Sequence, residues 1–234
     1  MVAYQHRPNY RIKTMLIHFI LKDLKIEWRS KEIITSMFIF GLSITLIFAL
    51  AFQVAPMLIR TFAPGLLWVV ILFTSVLGLN RLFSLEREEH AMWSWTSAPV
   101  DRGIVYISKV VSALFFVLIS EILFIVPFFI FLNLPANFSF FQFSLILFLG
   151  TGAIVSVGCL ISGITLQAGL RDVLIPILLF PSASPVAIAA TKCTESLFDQ
   201  KPMTEWNFWF LILGSFFVIY GLFGYMVFNR IVEE

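Results

Sequence analysis

Residues 138–165 read FSFFQFSLILFLGTGAIVSVGCLISGIT, and this stretch contains no charged side chain. A helix rises about 1.5 Å per residue, so about 20 apolar residues cross the roughly 30 Å of hydrocarbon in a bilayer. The stretch therefore predicts a transmembrane helix. The whole chain has the same character, because 59% of its 234 residues are hydrophobic and only 13% are charged. A soluble domain carries about 25% charged residues, so this composition indicates an integral membrane protein.

Five further windows have, or nearly have, the length and hydrophobicity of a spanning helix. Together they predict an all-α integral membrane fold with about six transmembrane helices, at 33–55, 64–83, 104–132, 138–165, 173–190 and 206–228. The fifth window is short and contains three prolines, each of which removes a backbone donor. It either spans with a kink or enters the membrane and returns. Its PSASP motif, 181–185, is expected at the outer end, as a turn or as the hinge or lip of a transport route, before an outer loop at 191–205.

The first 32 residues are polar and basic. Apolar residues recur there at helical spacing, with Lys and Arg on another side: Ile17, Ile20, Leu24 and Trp28. This pattern predicts an N-terminal interfacial amphipathic helix, because Trp and basic residues are favoured at the headgroup layer. A solvated helical arm is the alternative. We therefore expect a cytoplasmic or interfacial segment at 1–32 and a six-helix membrane domain at 33–230, with a cytoplasmic loop at 84–103.

The Lys and Arg residues predict the orientation. If all six windows cross, thirteen of the sixteen lie on the side of the N-terminus, and Arg60, Lys192 and Lys201 lie on the other. Loops rich in Lys and Arg stay in the cytoplasm, so both termini are expected there, with membrane lipid around the spans. The net charge of +2 is too small to indicate a nucleic-acid partner.

The sequence lacks the motifs of several kinds of chemistry. It contains no P-loop motif GxxxxGK[ST], no HExxH and no nucleophile elbow. Its three histidines lie outside the six windows, and its two cysteines form no metal-binding pattern or expected disulfide. A membrane enzyme would normally bring several ionisable groups to one depth. The pattern therefore favours a conduit or a mechanical subunit over a catalyst, with no catalytic, metal or cofactor residues assigned.

Glu121 is the one carboxylate well inside a window. It follows Ile104 by 17 residues, or about 25 Å of helix, which predicts a position in the outer half of the membrane. An ionisable residue at such depth indicates a functional site. A neutral or hydrogen-bonded structural carboxyl group, or one near the outer interface, is the alternative.

Small residues recur four apart in the fourth window, as in the pairs Gly152 and Ser156, Gly158 and Ser162, and Cys159 and Gly163. Such spacing allows close approach of membrane helices. We interpret it as a packing face.

The loop after the second window reads LEREEHAMWSWTSAPVDRG, 85–103. Acidic residues precede an amphipathic turn that contains Trp93 and ends at Pro99. A short amphipathic element with a charged start suits docking in a groove of a cytosolic partner. A solvated loop whose tryptophans rest on the bilayer remains open.

Four stretches, taken in order, resemble a known family. They are LKDLKIEWRSKE at 21–32, APGLLWVVILFTSVLGLNRLFSLERE at 63–88, APVDRGIVYISKV at 98–110 and LIPILLFPSASPVAIAA at 174–190. Their order and spacing, over residues from about 21 to 230, resemble the cytochrome c maturation haem exporter family CcmB, a family of type-2 ABC transporter permeases.

The resemblance implies a permease subunit required for haem delivery in c-type cytochrome biogenesis. The alternatives are a type-2 permease for a lipid, drug or polysaccharide and a non-transporting membrane scaffold. The resemblance also implies that the loop at 84–103 couples to a separate cytosolic ABC ATPase subunit. The partner-coupling residues would be Glu86, Arg87, Glu88, Trp93, Pro99 and Arg102.

Further partners implied by the resemblance are a haem-handling membrane subunit, a small membrane subunit and a periplasmic haem chaperone. No cofactor would be bound by this chain, ATP would bind to the partner subunit, and haem would be handled within the complex. The expected location is the bacterial inner (plasma) membrane, or the mitochondrial inner membrane if the chain is organellar.

Overall fold

Seven helices follow one another in the part of the chain that the structure, a computed structural model, describes: residues 8–51, 56–88, 102–165 and 171–231. They are α1 (Pro8–Ser30), α2 (Glu32–Ala51), α3 (Pro56–Glu88), α4 (Arg102–Phe131), α5 (Phe140–Ile164), α6 (Arg171–Phe198) and α7 (Met203–Ile231). By length and composition, α2 to α7 each contain a stretch able to cross a membrane. The chain is therefore an all-α, multi-pass membrane protein, as its hydrophobicity predicts.

The six spans agree with the predicted windows, and the fifth differs most in length. The spans are Glu32–Ala51, Leu58–Ser84, Arg102–Phe131, Phe140–Ile164, Val173–Phe198 and Met203–Phe228. The prediction of an outer loop at 191–205 was wrong for most of its length, because α6 continues to Phe198 and α7 begins at Met203. Cys193 is buried inside α6, and Cys193 and Cys159 are both free thiols.

The PSASP motif is helical and lies in the middle of α6, so the expected outer-end position was wrong. Pro185 has no N–H to donate to the carbonyl of Pro181. The Ser184 hydroxyl donates to that carbonyl instead, at 2.8 Å. From α7, the Tyr220 hydroxyl donates to the neighbouring carbonyl of Ser182, also at 2.8 Å. The Ser184 hydroxyl thus replaces one backbone donor that proline removes, and the Tyr220 bond ties this part of α6 to α7.

The centre of the bundle is formed by α5 and α3, whose spans are the most buried of the six. Trp68 of α3 is fully buried, and its indole Nε1 donates to the Thr194 hydroxyl of α6 at 2.9 Å. The same indole ring lies directly over Gly150 of α5. One tryptophan thus joins three helices, and it fits only because position 150 has no side chain.

The predicted packing face of α5 is confirmed. A Cβ at Gly152 would lie 2.6 Å from the ring of Phe217 in α7, and those at Gly158 and Gly163 would meet Leu79 and Phe228. The hydroxyl of Ser156, on the same helix, donates to the carbonyl of Gly152 at 2.7 Å, so it needs no partner outside α5. Small residues here bring α3 and α7 close to α5.

Four phenylalanine rings close the end of the bundle that is opposite to α1. Every pair among them has ring centroids between 5.1 and 6.1 Å apart: Phe129, Phe138, Phe143 and Phe198. Nearby, Asn133 adopts a left-handed conformation (φ 48°), and the N–H of Leu134 reaches back to the carbonyl of Phe129 at 3.0 Å. This C-cap ends α4 and turns the chain towards α5.

We predict that Gly150→Ala destabilises the protein by about 1–3 kcal/mol, the usual effect of overpacking a core. The added methyl group would displace Trp68 and break its bond to Thr194. Thermal unfolding in detergent can be followed with a thiol-reactive fluorophore, because both cysteines are buried until the fold opens.

Gly214→Ala is the matched control, since a Cβ at this mid-helix position of α7 meets nothing within 4 Å. We expect its melting temperature to equal that of the unmodified protein or to exceed it. Equal melting temperatures for the two alanine variants would contradict the proposed role of Gly150.

Candidate functional site

The segment that joins α3 to α4 carries the residues predicted to dock on a partner. Glu86, Arg87 and Glu88 form the last turn of α3, although their side chains lie outside the described part. Trp93 and Pro99 also lie outside the described residues. Arg102 is the first residue of α4 and is partly buried. Because α3 and α4 pack against each other, the segment begins and ends at the same end of the bundle, the end at which α1 lies.

The first turns of α4 are joined to α5 and α7. The Tyr106 hydroxyl lies 3.0 Å from the carbonyl oxygen of Ser156 and 3.1 Å from that of Tyr220, and the two acceptors share its single proton. Its ring contacts that of Phe228, with centroids 5.6 Å apart, and covers Gly224. Any displacement of the start of α4 therefore acts directly on two other spans.

One turn further along α4, a buried ion pair joins this helix to α1. Lys109 Nζ donates to both carboxylate oxygens of Asp23, each at 2.8 Å. The two side chains are only 1% and 3% exposed. Placing charges out of water is costly, and the attraction offsets the cost only with good geometry. Sequence reasoning missed this pair because the two residues are 86 positions apart.

A second acidic residue of α1 holds the start of α2. The Glu27 carboxylate accepts hydrogen bonds from the backbone N–H groups of Ile33 and Ile34, at 3.1 and 2.9 Å. These are orphan donors of a helix N-terminus, where a negative charge is stabilising. Lys31, with φ 56°, makes the turn between the helices. Both Asp23 and Glu27 are thus buried on the face of α1 that meets the bundle.

The other face of α1 agrees with the predicted amphipathic pattern. The helix itself is confirmed, and it exposes Trp28 (84%), Leu21 and Ile17 as well as basic side chains such as Lys25 and Arg29. At the same end, Glu32 of α2 pairs with Arg81 of α3, and the two side chains are 52% and 37% exposed. The location of α1 in the membrane interface stays a prediction.

Glu121 is buried, with 1% of its surface exposed. It is the twentieth of the thirty residues of α4, so it lies in the half of the span farther from α1. The Thr151 hydroxyl of α5 donates to its Oε1 at 2.6 Å. Within the described part of the chain, its Oε2 has no hydrogen-bond partner. The hydrogen-bonded structural interpretation gains support from this contact, while a functional role remains a hypothesis.

The described residues contain no group of three or more His, Cys, Asp or Glu side chains that could hold a metal ion. The polar side chains instead connect helices. Asp23, Glu27 and Lys109 do so near the α1 end, and Glu121 with Thr151 does so deeper in the bundle. Such an arrangement can transmit or resist helix movement.

We predict that Glu121→Gln keeps the stability of the protein and that Glu121→Ala lowers it by about 1–3 kcal/mol. Glutamine retains an oxygen that can accept from Thr151, whereas alanine leaves a buried donor without its partner and opens a cavity. The thiol-based unfolding measurement applies here too. A glutamine variant as unstable as the alanine variant would contradict the structural role of this hydrogen bond.

Comparison with known proteins agrees with this architecture. A family model described as CcmB protein matches residues 14–225. Heme exporter protein B of Pseudomonas aeruginosa is 24% identical over 196 residues, which are 84% of this chain and 87% of that protein. Heme exporter protein B of Haemophilus influenzae is 29% identical over 190 residues, or 78% of this chain and 82% of that protein. Because the family model matches most of its length, the chain belongs to the CcmB protein family.

Proposed function

We propose that this chain is the permease subunit of an ABC transporter required for haem delivery in c-type cytochrome biogenesis. The observation that carries the proposal is the family match over residues 14–225. The chain also matches most of the length of two relatives that are named heme exporter protein B. The six spans supply the membrane domain that such a subunit needs.

The geometry of α3 supports a coupling role for the segment that follows it. The apolar run of α3 gives way to Glu86, Arg87 and Glu88, which are the last residues of the helix. A helix of 33 residues is about 50 Å long, which exceeds the roughly 30 Å of hydrocarbon. Its charged last turn would therefore project from the membrane. The coupling element at 86–99 would then begin with Glu86, Arg87 and Glu88 and include Trp93 and Pro99. Arg102 would return the chain to the membrane.

ATP hydrolysis belongs, in this proposal, to a separate cytosolic subunit. The chain has no P-loop motif to hold phosphates, so the energy must come from a partner. An ATPase dimer that closes on nucleotide would pull the element at 86–99 and shift the spans against one another. The hydrogen bonding of Tyr106 to carbonyls of α5 and α7 would transmit that movement to the other spans.

Orientation and location complete the proposal. The α1 end would face the cytoplasm, since thirteen of the sixteen Lys and Arg residues lie on its side of the membrane. The membrane would be the bacterial inner membrane, or that of mitochondria if the chain is organellar. A haem-handling membrane subunit, a small membrane subunit and a periplasmic haem chaperone would be the further partners.

Affinity purification of the full chain from native membranes, with an absorption spectrum of the complex, tests the function. The proposal expects an ATPase subunit and haem in the same complex, and loss of covalent c-type cytochromes when the chain is deleted. Normal amounts of c-type cytochromes in the deletion strain would contradict the haem role. Co-purification of an ATPase without haem would then point to a permease for another substrate.

We predict that Arg87→Ala combined with Trp93→Ala weakens binding of the ATPase subunit about tenfold or more. Arg and Trp at the centre of an interface often contribute about 2 kcal/mol each, and about 1.4 kcal/mol is a factor of ten in Kd. Binding can be titrated with the purified ATPase subunit and the full chain in nanodiscs.

Trp209→Ala, a tryptophan substitution near the start of α7 at the opposite end, is the matched control and should leave the Kd unchanged. Coupling through this segment would be excluded by a complex whose ATP hydrolysis is the same with residues 86–99 scrambled.

A further inference from the structure

The ion pair of Asp23 and Lys109 is buried, and the movement proposed above gives it no role. Both carboxylate oxygens are bound at 2.8 Å, and both side chains are almost fully buried. Well-packed apolar residues often replace such pairs without loss of stability. Stability alone therefore does not explain why two charged residues are buried here. The position of the pair suggests another explanation.

Lys109 lies close to the segment that is proposed to dock on the ATPase. It follows Arg102, the first residue of α4, by seven positions, or about 10 Å of helix. Its partner Asp23 precedes Glu27 by one turn of α1, and Glu27 holds the first N–H groups of α2. Two polar contacts, one turn apart on α1, thus connect α1 to the first part of α4 and to the start of α2.

The packing of α1 shows how the ion pair could restrict its movement. Among the spans, α1 packs mainly against α4 and only slightly against α2. Apolar side chains in such an interface can slide past one another. Separating two opposite charges in a medium of low dielectric constant is much harder. The pair therefore resists displacement of α1 along or away from α4.

We propose that Asp23 and Lys109 form a positioning pair that makes α1 follow α4 when the ATPase subunit moves the coupling element at 86–99. The inference rests on the proposed function, since it requires an ATPase that acts on this segment. It adds a defined role for α1, which becomes a moving part of the transporter, and it assigns that role to two residues.

The test measures the movement of α1 and α4 separately, in nanodiscs that contain the full chain and its ATPase subunit. Spin labels replace Lys25 on α1 or Ile107 on α4, each paired with a label at Asp199 at the opposite end; all three positions are exposed. Cys159→Ala and Cys193→Ala remove the native thiols. Distances are recorded by pulsed electron paramagnetic resonance, with and without a non-hydrolysable ATP analogue.

In the otherwise unmodified chain, we expect the analogue to shift both distances. The decisive variant is Asp23→Leu with Lys109→Met, which removes both charges and leaves no lone buried charge behind. We expect it to fold, bind the ATPase subunit and keep the shift at Ile107. The shift at Lys25 should fall to less than half.

Glu32→Gln is the matched control, because its ion pair with Arg81 lies at the same end but is far more exposed to solvent than the pair of Asp23 and Lys109. It should leave the shift at Lys25 unchanged. A full shift at Lys25 in the Asp23→Leu, Lys109→Met variant would overturn the inference and leave the proposed function standing. Failure of the ATPase subunit to bind or move the unmodified chain would overturn the proposed function, and the inference with it.

Discussion

The interior of a bilayer offers no water, so every backbone carbonyl, N–H group and charge within it must find its partner in the protein. In the described spans, side chains of neighbouring positions and helices supply several of these partners. Ser184 and Tyr220 bind carbonyls along the proline-rich part of α6, and Tyr106 binds carbonyls of two neighbouring helices. Because these donors are shared between helices, they also fix how the spans pack.

The two ends of the bundle are held together by different kinds of contact. At the end away from α1, the four phenylalanine rings close the interior with apolar contacts. At the α1 end, charged groups connect the helices: Lys109 of α4 binds Asp23 of α1, and Glu27 of α1 accepts hydrogen bonds from the start of α2. Directional contacts of this kind transmit displacement better than apolar packing does. A bundle moved by a partner is expected to need them at the end where that partner acts.

Sequence reasoning could predict the spans because each depends on a long apolar run, and the periodicity of α1 was equally visible. It placed the end of α6 too early, at 190, because polar residues follow that position, whereas the helix continues to Phe198. Glu121 was identified as a buried carboxylate, but its partner Thr151 was not. The pair of Asp23 and Lys109 gave no local signal, because on α1 an acidic residue among basic ones resembles a solvated face.

The arrangement of the spans across the membrane tests the account most directly. In a chain whose native cysteines are replaced by alanine, Arg87→Cys and Asp199→Cys are made singly and treated with a membrane-impermeant maleimide. The account predicts that position 87 reacts only in inverted vesicles, from the cytoplasmic side, and that position 199 reacts only in spheroplasts. Reaction of both positions from the same side would contradict six crossings and the orientation on which the coupling role depends.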